Sequence, residues 1–221
     1  MDSRRLESFS DGVFAVAITV LVFNLLTIGE HGAGFTSLVT DAWPQYFAYV
    51  IGFLTVGIMW LNHHSVISHV RRVDRATLVL NIFLLMFVVA VPFPTALVAD
   101  HLNKPGGGAA VVTYGVVMIL MGIAFASLWG YLSTHQEALG ATSLAALSAA
   151  ERLRSVLRFS GPLLGYVAGT LVGGFWSPIG GLIIYGLIGI YYLFDHLPRP
   201  PAEDPAPDGE ADARMGGTIT G

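Results

Sequence analysis

Cysteine is absent from the 221 residues. Disulfides, thiolate metal sites and cysteine nucleophiles are therefore excluded. Charge is scarce, with Asp, Glu, Lys and Arg together making 12% of the chain. Lysine occurs once, at Lys104. The net charge of -4 says little, because Glu203, Asp204, Asp208, Glu210 and Asp212 gather near the C-terminus. Catalytic patterns are missing too. No strained Gly-x-Ser-x-Gly elbow surrounds Ser10, so an intramembrane serine hydrolase has no support. No nucleophile–base pair or metal cluster is visible, and the chain does not read as an enzyme.

Apolar residues fill the space, at 54% of the chain. Several apolar runs reach the roughly 20 residues needed to cross a hydrocarbon core of about 30 Å. A soluble domain would show amphipathic stripes instead. The pattern predicts an all-α, polytopic membrane protein with six spans: 7–28, 43–67, 76–99, 109–132, 154–176 and 179–195. Together these make one transmembrane domain over 1–197. The Pro-, Gly- and acid-rich residues 198–221 read as a disordered tail. Segment 133–153 is Ala/Ser-rich and reads as an interfacial or short cytosolic helix. Ser3-Arg4-Arg5 faintly resembles a twin-arginine signal. Glu7 and Asp11 spoil its flank and no small-x-small cleavage site follows, so the first run is expected to be retained.

Arginines set the orientation. Arg4, Arg5, Arg71, Arg72, Arg75, Arg152, Arg154, Arg158, Arg199 and Arg214 fall on one side of a six-span arrangement, and Lys104 falls on the other. Such asymmetry marks the cytosolic side and puts both termini there. On the opposite side Glu30, Asp41 and Asp100 meet only Lys104. They are either solvated loop charges or a weakly acidic mouth that concentrates cations.

The first span opens with Ser10 and Asp11, and a carboxylate at that depth is costly without a partner or a task. One reading is N-capping, with both side chains accepting from free backbone N–H groups. The other is a polar network with Trp60, Asn62, His63 and His64 on the second span and Asn81 on the third. Further along, Gly12, Val16, Thr19 and Phe23 recur at spacings of four, three and four, with Val20 beside them. Ordinary helix packing produces such a stripe. So does a pore wall, in which copies of this helix make a hydrophobic constriction and Thr19 a polar ring.

Adjacent His63 and His64 point about 100° apart on a helix, which suits a metal poorly. A proton relay remains open. Pro92 and Pro94 break the hydrogen-bond ladder of the third span, giving a bend or an unwound ligand site. Gly161, Gly165, Gly169 and Gly173 make a small-residue face for close helix packing, within the protomer or between copies.

Arg5, Phe9, Ser10 and Asp11, followed by Ala15-Val16-Ala17-Ile18-Thr19, resemble the first-helix signature of the transmembrane protein 175 family of potassium channels. Trp60-Leu61-Asn62-His63-His64, Asn81 and Pro92-Phe93-Pro94-Thr95 are similar to its prokaryotic members. The resemblance covers about 5–100. It implies a homotetramer of six-helix protomers whose first helices line a central pore, with no carbonyl filter loop. It implies a constriction at Val16, smaller than the family's Ile or Leu, a pore threonine at Thr19 and further lining from Val20 and Phe23. Arg5, Phe9, Ser10 and Asp11, with the residues of the next two spans, are implied to hold helices together. The expectation is a moderately selective potassium channel of a prokaryotic plasma membrane. Its partners would be its own copies, the lipid bilayer and monovalent cations, with no cofactor and no nucleic acid. The competing expectation is a secondary transporter or proton-coupled carrier that titrates Asp11 and the histidines.

Overall fold

The computed structural model describes residues 3–26, 40–68, 70–135 and 163–194. They form α1 (Ser3–Val20), α2 (Phe23–Leu26), α3 (Trp43–Ile67), α4 (Arg75–Ala90), α5 (Pro92–His101), α6 (Gly107–Thr134), α7 (Leu163–Phe175) and α8 (Pro178–Phe194). Among the described residues four stretches are long and apolar enough to cross a membrane: Ser3–Leu26, Trp43–Ile67, Arg75–His101 and Gly107–Thr134. The shorter apolar α7 and α8 occupy the places expected for spans five and six. The chain is an all-helical membrane protein. The start of the predicted fifth span, Gly161, Glu30, most of 133–153 and the C-terminal tail lie outside the described residues.

Two spans are broken, each for a local reason. The first was expected as one helix over 7–28. It starts earlier, at Ser3, and tightens at Leu21–Val22, where the N–H of Val22 reaches back three residues to the Thr19 carbonyl at 3.2 Å. Leu21 is fully buried at this step, and Gly52 of α3 leaves room for it: a Cβ there would lie 3.1 Å from both Leu21 and Thr95. The third span steps at Val91, because Pro92 and Pro94 cannot donate to the ladder. Val91 keeps helical backbone angles, φ -54° and ψ -42°. The span therefore continues through the prolines as helix and does not unwind, which favours the bend over the unwound ligand site.

α1 packs between α3 and α4, and α4 in turn packs along α6. The glycine face of α7 is used inside the protomer. A Cβ at Gly169 would sit 2.5 Å from the Tyr185 ring, and one at Gly173 would sit 2.3 Å from Val111. From α8, Gly181 returns the contact, its absent Cβ lying 2.7 Å from the Gly169 carbonyl oxygen and from the Gly173 Cα. The tight corner before α8 closes through Ser177, whose Oγ accepts the Gly180 N–H at 3.1 Å. Close backbone approach of this kind is how helices gain packing energy where lipid removes the hydrophobic drive.

Overpacking a tight site costs about 1–3 kcal/mol. Gly181→Val should therefore lower the thermal unfolding midpoint in detergent. Gly186→Ala should not, since nothing lies within 4 Å of a Cβ at Gly186. Equal midpoints for the two variants would refute the glycine contact.

Candidate functional site

Between α1, α3 and α4 lies a chain of polar side chains. Ser10, His63 and Asn81 are each 0% exposed, in surroundings where an unpaired polar group is expensive. Asn81 resolves this by serving both neighbours. Its carbonyl accepts from His63 Nε2 at 2.7 Å, and its amide donates to Ser10 Oγ at 3.0 Å. Ser10 Oγ in turn donates a hydrogen bond to the Leu6 carbonyl at 2.8 Å. The other ring nitrogen of His63, Nδ1, has no hydrogen-bond partner among the described residues. The Phe14 ring packs against the imidazole, centroids 5.4 Å apart.

Two further links tie α1 to α3. Trp60 Nε1 donates to Asp11 Oδ1 at 2.8 Å. His64 Nδ1 meets Glu7 Oε1 at 3.0 Å, and its ring lies 5.8 Å from that of Trp60. The spacing explains the reach: Trp60, His63 and His64 lie one turn apart on α3, and Glu7, Ser10 and Asp11 lie one turn apart on α1. Ser10 and Asp11 do not cap the helix, which begins seven residues before Ser10. The structure thus brings together Ser10, Asp11, Trp60, His63, His64 and Asn81. Arg5 and Phe9 stay exposed and outside the cluster. Asn62 is also outside it, lining instead a cavity of about 60 Å³ with Thr55, Met59, Met118 and Tyr166.

The opposite face of α1 is left exposed by the described residues. Leu6, Ser10, Phe14 and Ala17 are buried. Phe9, Gly12, Val16, Thr19, Val20 and Phe23 are exposed, Val16 at 57% and Phe23 at 60%. Thr19 Oγ1 donates to the Val16 carbonyl at 2.8 Å, a bond that leaves the hydroxyl oxygen's lone pairs unused. A shallow groove lined by Ser8, Phe9, Gly12, Val13, Val16 and Val89 runs along this face.

Three features escaped sequence reasoning. Glu7 was read only as a flanking charge, although it lies one helical turn from Asp11. Tyr114 and Tyr185 stack 5.5 Å apart inside the bundle, bonded to Thr55 at 3.2 Å and Thr170 at 2.9 Å. Gly115 makes room for the second bond, since a Cβ there would lie 2.0 Å from Thr170 Oγ1. Finally, Asp74 caps α4, accepting the Thr77 N–H at 2.8 Å and the Thr77 hydroxyl at 2.7 Å, while its other oxygen takes the Tyr131 hydroxyl. The Tyr131 bond, then the Thr77 N–H, hold the Asp74 carboxyl down at about 2. The Asp74-x-x-Thr77 spacing was the signal available for the cap.

The family model described as endosomal/lysosomal potassium channel TMEM175 matches residues 5–92. A potassium channel of Streptomyces collinus is 40% identical over 212 residues, which is 93% of this chain and 98% of that one. A potassium channel of Chamaesiphon minutus is 39% identical over 142 residues, 62% of this chain and 70% of that one. Among solved structures, a crystal structure of a lysosomal potassium-selective channel TMEM175 homolog from Chamaesiphon minutus superposes with a TM-score of 0.71 at 31% identity. It covers 86% of this chain and 96% of that one.

Leaving a buried donor or acceptor unpaired costs about 1–3 kcal/mol. Asn81→Leu strips a partner from both His63 and Ser10 and should lower the thermal midpoint of the purified protein more than Asn62→Leu does. The Asp74 contacts give a pH test. The folded carboxyl lies below its unfolded value near 4, so its stabilisation is complete above about pH 4 and is lost as pH falls through about 2. The stability gap between the protein and Tyr131→Phe should stay flat over about pH 5–8 and close in strong acid. A gap that changes near neutrality would contradict the Asp74 assignment.

Proposed function

Because the chain belongs to the TMEM175 family, we propose that it is a potassium channel of a prokaryotic plasma membrane, built as a homotetramer with both termini in the cytosol. One observation carries the pore reading. The stripe Gly12, Val16, Thr19 and Phe23 is apolar or hydroxylic, lies on one face of the first span, and is left exposed by the described residues. Four such faces around an axis enclose a path. Val16 forms its apolar neck, Thr19 offers a ring of hydroxyl oxygens a turn further out, and Val20 and Phe23 extend the wall. Apolar side chains cannot replace a hydration shell as carbonyl rings do, so ions pass partly hydrated and selectivity is moderate.

The buried edge of the same helix has a different task. Ser10, Asp11, Trp60, His63, His64 and Asn81 hold α1 at fixed rotation against α3 and α4, and that rotation keeps Val16 turned to the axis. The chain has no catalytic role in this reading and uses no cofactor. Residues 1–197 form the channel and 198–221 a cytosolic tail. The carrier alternative would need Asp11 and the histidines free to exchange protons. Support for the channel is that Asp11 accepts from Trp60 and His63 is enclosed.

Reversal potentials in potassium and sodium bi-ionic conditions on reconstituted protein test the reading. Val16→Ala should raise flux and bring the potassium-to-sodium permeability ratio toward one. Unchanged conductance and selectivity would remove Val16 from the pore. Saturating flux coupled to protons would establish the carrier instead.

A further inference from the structure

The short connection between α3 and α4 carries Arg71, Arg72 and Arg75, all exposed. Their neighbours dictate how they stand. Val70 and Val73 are 2% and 5% exposed and belong to the core. The connection is therefore pinned at two apolar points, and its arginines are turned away from the bundle. The adjacent acid is already engaged. Asp74 caps α4 through Thr77 and takes the Tyr131 hydroxyl on its other oxygen. No ion pair joins these three guanidinium groups to a carboxylate among the described residues.

Among the described residues the acids of the neighbouring α1 are engaged as well: Glu7 is joined to His64, and Asp11 accepts from Trp60. Directly beyond Arg75 on the same helix face come Val79, 44% exposed, and Phe83, 52% exposed.

We propose that Arg71, Arg72 and Arg75 bind the phosphate headgroup of an anionic phospholipid in the cytosolic leaflet. Guanidinium forks match phosphate oxygens in pairs. Basic residues clustered at the cytosolic membrane surface attract anionic lipid. The Val79–Phe83 face gives the acyl chains an apolar wall, which a free phosphate would leave unused. Headgroup binding here would clamp the connection between α3 and α4, the two helices that hold α1. This inference rests on the membrane orientation adopted above.

The test is lipid retention by the full chain in mild detergent, read by native mass spectrometry with phosphatidylglycerol or phosphatidylcholine supplied. Phosphatidylglycerol should be retained in clear excess, and the excess should shrink as salt is raised on the unaltered protein. The combined variant Arg71→Gln, Arg72→Gln, Arg75→Gln should weaken retention roughly tenfold or more, while Lys at the same three positions, which keeps the charge and loses the fork, should recover only part of it. Equal retention of the two lipids, or a salt-insensitive excess, overturns the proposal. So does complete displacement of phosphatidylglycerol by an equal concentration of inorganic phosphate, which would mean the apolar wall contributes nothing. Retention needs no conduction, so its failure removes the lipid site and leaves the channel reading standing.

Discussion

Everything in this protomer depends on one constraint: a polar group taken out of water must find its partner inside the protein. Asn81 meets it for two helices at once. Few side chains could, because the position must accept from an imidazole and donate to a hydroxyl. Asn carries both functions on one planar group. The bonds at 2.7 and 3.0 Å therefore do more than join α4 to its neighbours. They allow only one rotation of α1, since turning the helix would strand Ser10 and His63 together.

That rotation gives α1 its two faces. Both are apolar enough for a membrane span, and burial does not follow hydropathy between them. Phe14 is 1% exposed whereas Val16, two residues on, is 57% exposed. Non-directional apolar packing would tolerate either face against the bundle. Hydrogen bonds are directional, and they select. The polar edge of α1 is thus the device that presents the Val16 face to whatever lies outside the protomer, and the proposed pore inherits its alignment from residues that touch no ion.

Much of this was legible from one sequence, and the reasons are specific. Span number and position followed from apolar length, because the bilayer thickness is fixed. The Gly165, Gly169 and Gly173 spacing announced close packing. Its partner did not show, since a small-residue face fits any neighbour equally well. Tyr114 and Tyr185 are 71 residues apart, and nothing in either local context marks them as a stacked pair. Asn62 was grouped with its neighbours His63 and His64 by adjacency, yet helix geometry turns it about 100° away from His63 and into the cavity beside α6. Ser10 and Asp11 looked like caps because capping residues and buried network residues share the same chemistry. Only the position of the helix start, at Ser3, separates the two.

By itself the sequence determined the class of solvent and the number of crossings, both of which depend on composition summed over whole segments. It also determined which polar residues would need partners, because intramembrane polarity is costly wherever it occurs. Only the tertiary structure decided who those partners are, which face of α1 is covered, and that the arginines between α3 and α4 stand outward while Asp74 turns to Tyr131. Those choices depend on direction and distance between segments far apart in the chain, and local patterns carry no record of either.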